Sequence, residues 1–289
     1  MFTIVFLSFH SQPHIKRLIL SIEKKYPIIV VENSLDYKLK KELEEKYENV
    51  KVIIPPKNLG LSAGYNLAIK ESKTNFVFLN PADIVLSNKC LDDLEDCVSN
   101  IKDFAILGPI YDDEKIYKNY EIWDKKKLNI NLNDEIFKKY KIREVDFIDN
   151  DFIINKRHFE DLDFFDENIF LYFDTMDLCK KVRTANKKIY VCEKIKFTHY
   201  GSQSVDLQFS EQFSLSRSWH YNWSKFYYFK KNFSYFFALK KIFPNFVRSL
   251  KNMLTCKIYK KKEYFLHRAE FLGIVSSIFN RPSSFRPFE

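Results

Sequence analysis

Glycine is scarce in this chain, with five in 289 residues, and there are nine prolines. That excludes collagen-like and low-complexity architectures and makes each glycine a position to read for backbone freedom. Cysteine is sparse too, at positions 90, 97, 179, 192 and 256, an odd number with no C-x-x-C pair. Neither a disulfide framework nor a zinc site fits that spacing, and a reducing compartment is expected. No run of about 18 apolar residues occurs, so no segment is expected to span a membrane. The start, Met1 to Leu7, lacks a basic region and a small-residue cleavage site and reads as a first strand rather than a signal peptide. Neither G-x-G-x-x-G nor G-x-x-x-x-G-K-[ST] is present, so dinucleotide oxidoreductases and P-loop enzymes are disfavoured.

What is present is apolar and aromatic: 46% hydrophobic residues, 17% aromatic and 29% charged, the balance of a globular chain. Over the first 110 residues, strand and helix signals alternate. Apolar runs at Thr3–Phe9, Ile28–Val31, Val50–Ile54 and Phe76–Leu79 are separated by helical patterns, among them Asp36–Tyr47 and Asn58–Lys70. Continuous rather than alternating apolar strands predict a parallel sheet covered on both faces, with ligands bound at the carboxyl ends of its strands. Those ends carry Ser8, Phe9 and His10, then Glu32, Asn33 and Ser34, then Asn58, then Asn80. Residues 111–143 read as a charged connection with weak signals. Beyond it, Val145–Asn155 reads as a strand, Asp174–Ala185 as a helix, Lys188–Val191 and Ile195–Thr198 as short strands, and Glu211–Lys231 as a long amphipathic helix.

The net charge of +9 is unevenly spread. From Arg217 onward there are 15 Lys and Arg against three acids, a balance of +12, whereas the first 216 residues hold 32 against 35, or −3. Aromatics are interleaved with this basic stretch, as in Tyr227-Tyr228-Phe229-Lys230-Lys231. Such a tail suits an anionic membrane surface or nucleic acid, and a solvated helical face over a Phe-rich core is the plainer alternative. No nucleic acid partner is expected, because the acidic first three quarters and their polar strand ends would have no role in it.

Several patterns known together from one enzyme family occur here in order. Ile29 to Ser34 resembles V-V-D-N-x-S, and Asn58 to Asn66 resembles the turn N-x-G-x-x-x-G-x-N. Phe78 to Pro81 is similar to an L-N-P-D metal motif, and Phe164 to Glu167 to G-F-D-E. Phe170 to Cys179 is similar to F-F-L-Y-x-E-D-x-D-L-C, and Thr198 to Ser202 and Ser216 to Tyr221 extend the likeness. Taken together these residues resemble the family 2 glycosyltransferases, in particular a bacterial branch containing rhamnosyltransferases, and the resemblance implies an α/β GT-A fold, a Rossmann-like and mostly parallel sheet with helices on both faces, here followed by a helical basic C-terminal extension. Ser8, Phe9, His10, Glu32, Asn33, Asn58, Gly60, Gly64, Asn66, Asn80 and Arg217 become candidate donor-binding residues. Gly60 and Gly64 would let a phosphate approach a helix N-terminus, while Asn58 and Asn66 would hold that loop or touch the nucleotide.

Two departures from the pattern matter. The metal motif reads Asn80-Pro81-Ala82-Asp83, so Asp83, one step late, with His199, would hold a divalent metal, Mn or Mg. The usual base position is Thr175, which leaves Asp174 and Asp177, on one face of a helix start, as the candidate catalytic bases or as its N-terminal caps. The expected activity is inverting transfer of a sugar, with rhamnose the first choice, from a nucleotide-sugar donor to a glycan or lipid-linked glycan acceptor. A catalytically inert nucleotide-sugar-binding scaffold is the alternative. Residues 1–110 would bind the donor, 111–232 the acceptor, and 233–289 would attach the chain peripherally to the cytoplasmic membrane face.

Overall fold

A computed structural model describes residues 1–80, 84–85, 87–101, 103–111, 118–124, 134–149, 151–199, 210–256 and 261–286, without the side chains of 85, 198, 199 and 261. The chain divides into two compact units. The first comprises Met1–Leu59, Ala63–Phe165 and Leu178–Val205, and the second Gly60–Ser62, Asp166–Asp177 and Asp206–Glu289.

Strand and helix alternate through β1 (Thr3–Ser8), α1 (Gln12–Ser21), β2 (Ile28–Glu32), α2 (Tyr37–Lys46), β3 (Val50–Ile53), α3 (Gly60–Glu71) and β4 (Phe76–Asn80). The helix starts have local causes. Asp36 accepts from the amides of Lys38 and Leu39 at 2.9 Å, and Pro13 sits in the first turn of α1, where its missing N–H costs nothing. After β5 (Ile84–Val85), the Ser87 hydroxyl caps α4 (Asn88–Asn100) by accepting from the Cys90 amide at 3.2 Å. Then come β6 (Ile106–Tyr111), β7 (Tyr120–Glu121), α5 (Glu135–Tyr140), β8 (Ile142–Glu144), β9 (Phe147–Ile148), β10 (Phe152–Asn155), α6 (Asp174–Thr184) and β11 (Ile189–His199).

The main sheet runs β3-β2-β1-β4-β10-β6-β11-β5, with β8 beside β11. β1 to β4 pair in parallel, and β6 with β11 likewise. β10 alone in the centre runs against both neighbours, β4 and β6. The order reverses at β1, so the crevice rule points to the carboxyl ends of β1 and β4. An aromatic core lies under them: Phe78 meets Phe2 and Phe197 edge-on at 5.9 and 5.8 Å, all three fully buried.

The sequence predicts one strand over Val145–Asn155, whereas the chain forms two, β9 and β10. Asp151 between them takes a left-handed φ of 30°. The close approach there depends on Gly108 of β6, where a Cβ would stand 2.7 Å from the Asp151 carbonyl oxygen. The expected pair of strands Lys188–Val191 and Ile195–Thr198 is one strand, β11, with a bulge between Cys192 and Lys196. Charge explains the bulge: Glu193 turns to accept from Tyr120 at 2.9 Å and to pair with Lys141 and Arg143 at 2.7 Å. All five cysteines are free thiols, with the buried Cys97 and Cys192 sulfurs 3.7 Å apart.

In the second unit α7 (Ser210–Asn232), α8 (Tyr235–Cys256) and α9 (Lys261–Ile278) pack around Phe226, Ala238, Ile242 and Ile274. Trp219 and Trp223 of α7 form an adjacent cluster with Ala269 of α9. None of the described helices is long and apolar enough to cross a membrane. Gly108→Ala is expected to lower stability by about 1–3 kcal/mol through overpacking against Asp151, read as an earlier urea midpoint with unchanged slope.

Candidate active site

Three of the expected donor-binding residues end neighbouring strands at one edge of the sheet. Ser8 and Glu32 are direct register partners, and Asn80 pairs with Phe6 on the other side of β1. All three are buried. Glu32 accepts from the Ser34 amide at 2.7 Å and from the Ser34 hydroxyl. Burial pushes its carboxyl above the ordinary range, against the opposing pull of the Ser34 and Ser8 hydroxyls. Asn33 donates its amide to the Ser8 carbonyl at 2.8 Å and accepts from Leu59 at 3.2 Å. His10, at a φ of 52°, donates its amide to the Ser34 hydroxyl and meets Phe9 edge-on at 4.6 Å. Asn58 is half-buried in the loop before α3.

Asn80 carries the strongest signal of a ligand. Among the described residues neither its Oδ1 nor its Nδ2 has a hydrogen-bond partner, although the side chain is fully buried. An unmet buried amide costs about 1–3 kcal/mol, and a polar ligand removes that cost. Sequence reasoning passed over Asp151, also fully buried, which accepts from the Tyr111 hydroxyl at 2.8 Å. It precedes Phe152, the partner of Leu79, so it enters the sheet on the same edge as Asn80. An acid inside a stretch read as one continuous strand was the available clue.

Asp83 lies outside the described residues, as does the His199 side chain. The backbone register nonetheless pairs His199 with Ile84, the residue that follows Asp83 in sequence. Among the described residues no three His, Cys, Asp or Glu side chains cluster to hold a metal.

The glycine-bearing turn makes close contacts within its own unit. Gly60, at a φ of 75°, is required because a Cβ there would stand 2.6 Å from the Phe170 carbonyl oxygen and overlap the Phe170 ring. The same carbonyl takes the Leu61 amide at 2.8 Å, so the first turn of α3 holds a loop with an amide that was expected to face phosphate. Gly64 rests against Leu7 and Asn33. Asn66 exchanges two hydrogen bonds of 3.0 Å with the backbone of Phe165.

In the second unit, Asp174 and Asp177 open α6 and both are buried. They are not equivalent. Asp177 pairs with Lys231 at 2.7 Å and accepts from Asn232 at 2.8 Å, so both oxygens are engaged and the residue acts as a structural anchor. Lys231 also pairs with Asp166 at 2.8 Å. Burial alone would raise the Asp166 carboxyl, but Lys231 and the Asn168 amide hold it below the usual range. Asp174 accepts from the Thr175 hydroxyl at 3.3 Å. Just ahead of it, Tyr172 and Phe173 sit at φ values of 64° and 63°, a conformation bulky residues avoid. Rings of α7 hold them: Tyr221 lies 5.6 and 5.5 Å from Tyr172 and Phe173, and Tyr228 lies 5.6 Å from Phe173. Arg217, exposed, donates its Nε to the Tyr172 hydroxyl at 2.7 Å.

The decisive comparison is with a family model described as glycosyl transferase family 2, which matches residues 3–163, more than half of the chain. The chain belongs to glycosyl transferase family 2. It is therefore a glycosyltransferase, and its match covers the whole strand-end cluster except His199. Asp174, Asp177 and Arg217 lie beyond it. A search of curated proteins returns no match. Among solved structures, a mannosyltransferase, PcManGT from Pyrobaculum calidifontis in complex with GDP-Man and Mn2+, aligns at a TM-score of 0.55 and 11% identity, covering 96% of this chain and 87% of that one. GalNAc-T7 with UDP, GalNAc and Mn2+ aligns at 0.55 and 14%, over 86% of this chain and 57% of that one. S. aureus TarS 1-349 aligns at 0.53 and 17%, over 96% and 80%. These likenesses show the α/β GT-A fold.

His220 of α7 supplies a pH test. It is fully buried on Phe170, with ring nitrogens 2.9 Å from the Ser283 hydroxyl and the Phe285 carbonyl. Burial first, with Arg286 adding to it against the Phe285 carbonyl, pushes its pKa down to about 3. The unfolded chain binds this proton near the ordinary value of about 6.5, so the contribution is intact above that pH and is lost as pH falls toward the folded value. Between pH 7.5 and 5 the loss should be about 2 kcal/mol, measured as a fall in chemical-denaturation stability that His220→Gln flattens.

Proposed function

We propose that this glycosyltransferase moves a sugar from a nucleoside-diphosphate donor to a hydroxyl of a surface-polysaccharide or lipid-linked glycan, inverting the anomeric carbon. The observation that carries the reading is the buried edge of Ser8, Glu32 and Asn80, with an amide unsatisfied among the described residues, inside a family 2 domain. Residues 1–110 bind the donor, with Glu32 accepting from ribose or base and Asn80 facing the diphosphate. Residues 111–232 carry the acceptor. Similar proteins were solved with GDP-Man or with UDP and GalNAc, which supports a nucleotide-sugar donor. The likeness to rhamnosyltransferases makes dTDP-rhamnose the first donor to test. Residues 233–289 attach the chain to the cytoplasmic face of the membrane, where a lipid-linked acceptor would sit.

Asp174 is the base. It takes the proton from the acceptor hydroxyl as that oxygen bonds to the anomeric carbon and the bond to the diphosphate oxygen breaks. Thr175 has no basicity for this at neutral pH, and Asp177 is committed to Lys231. Arg217, exposed, is available to the negative charge that gathers on the leaving diphosphate. The fold's relatives with Mn2+ prompt the question of a metal. The chain has a suitable oxygen and nitrogen set: Asn80, unpartnered among the described residues, Asp151 on the same edge, Asp83, and His199, paired in register with Ile84. When bound there, a divalent cation supplies charge neutralisation for the diphosphate.

Asp174→Asn should lower kcat by about 100-fold or more while donor affinity by calorimetry stays within about twofold. Full turnover in this variant removes Asp174 from the base role. Asp177→Asn should instead lower the melting temperature, since it leaves Lys231 with one partner. Asp151→Asn should weaken Mn2+ binding, measured by calorimetry with UDP or dTDP present, by about 10- to 100-fold. Donor binding by the unaltered chain without transfer to any glycan acceptor would overturn the proposed reaction.

A further inference from the structure

α8 buries one side and leaves the other apolar. Ala238, Ile242 and Ser249 face the interior of its own unit. On the opposite side Phe236 is 81% exposed, Phe243 63%, Val247 46% and Leu254 64%. Steps of seven, four and seven residues place these four within an arc of about 40° at 100° per residue. Four large exposed side chains in one line are more than scattered surface hydrophobicity. Lys240 and Lys251, both exposed, flank the same stripe on one side. The helix contains no Asp or Glu along its 22 residues.

We infer that this face of α8 is an in-plane docking surface for an anionic lipid bilayer. Phe236, Phe243, Val247 and Leu254 enter the headgroup–acyl boundary, and Lys240 and Lys251 meet the lipid phosphates. The inference rests on the proposed peripheral attachment and assigns it to one helix face. It does not depend on the sugar chemistry. The charge pattern decides between occupants. A second copy using the same face would set lysines against lysines with no acid on the helix to answer them, whereas a surface of phosphates complements both the cations and the apolar line. Among the described residues no helix can span the bilayer, and an amphipathic helix with a buried side lies along the interface.

The test uses the full chain, co-sedimented with vesicles of pure phosphatidylcholine and of phosphatidylcholine with one third phosphatidylglycerol. The unaltered chain should sediment with the anionic vesicles and stay in solution with the neutral ones, with binding that falls as salt rises. Lys240→Glu with Lys251→Glu should weaken that binding by about 30-fold or more, and Phe236→Ser with Phe243→Ser by a similar factor. These side chains are exposed, so melting temperatures and nucleotide-sugar affinity should stay unchanged in both variants. Binding equal to that of the unaltered chain in either double variant overturns the assignment to α8. Failure of the unaltered chain to bind any vesicle overturns it as well, while glycosyl transfer to a soluble acceptor would leave the functional reading standing. Self-association that both variants abolish, without vesicle binding, would overturn it in favour of a second copy on this face.

Discussion

A single ammonium group organises the loop that leads into α6 in the helical unit. Lys231, at the end of α7, is shared between Asp166 and Asp177, which bracket the segment containing Phe170, Tyr172, Phe173 and Asp174. Tyr227 adds a hydrogen bond to Asp166, and Asn232 one to Asp177. The arrangement is nearly dry at Asp177, which is 2% exposed. Burying a carboxylate is costly unless a cation accompanies it, and losing the partner costs more than the pair contributes. The loop is thereby fixed at both ends to one residue. Inside that frame Tyr172 and Phe173 keep a left-handed backbone while packed against the α7 rings of Tyr221 and Tyr228.

The motif that most invited a ligand reading turns out to brace the chain. Gly60 makes room for Phe170, Leu61 binds the Phe170 carbonyl, and Asn66 clasps Phe165. Among the described residues, unmet buried polar capacity remains at Ser62 in this same turn and, beyond it, at Asn80 at the end of β4.

Much of the fold was legible in the residues. Continuous apolar runs at Ile28–Val31 and Phe76–Leu79 mark strands buried on both faces, and these are central strands of the sheet. α2 and α7 lie within a residue or two of their expected bounds because Asp36 and the amphipathic pattern of Glu211–Lys231 are local signals. The break at Asp151 was not legible, since it depends on Gly108, over 40 positions away, clearing space for its carbonyl. The bulge in β11 depends likewise on Tyr120, Lys141 and Arg143 converging on Glu193. Asp174 and Asp177 share one helical face in the sequence, which placed Asp174 only slightly ahead as a candidate base. Only the position of Lys231, 54 residues downstream of Asp177, separates them.

The reversed direction of β10 has a consequence for how such an enzyme changes its ligand preferences. A strand parallel to its neighbours presents only its last residues to the ligand edge, so altering the site means altering the chain after the strand. β10 instead offers its entrance there, and the preceding segment from β9 to Asp151 becomes part of the rim. Asp151, the residue before the first paired position Phe152, therefore stands at that rim, held by the Tyr111 hydroxyl. A lone antiparallel strand thus brings a second connection, closely packed through Asp151 and Gly108, to the edge where β1 and β4 end.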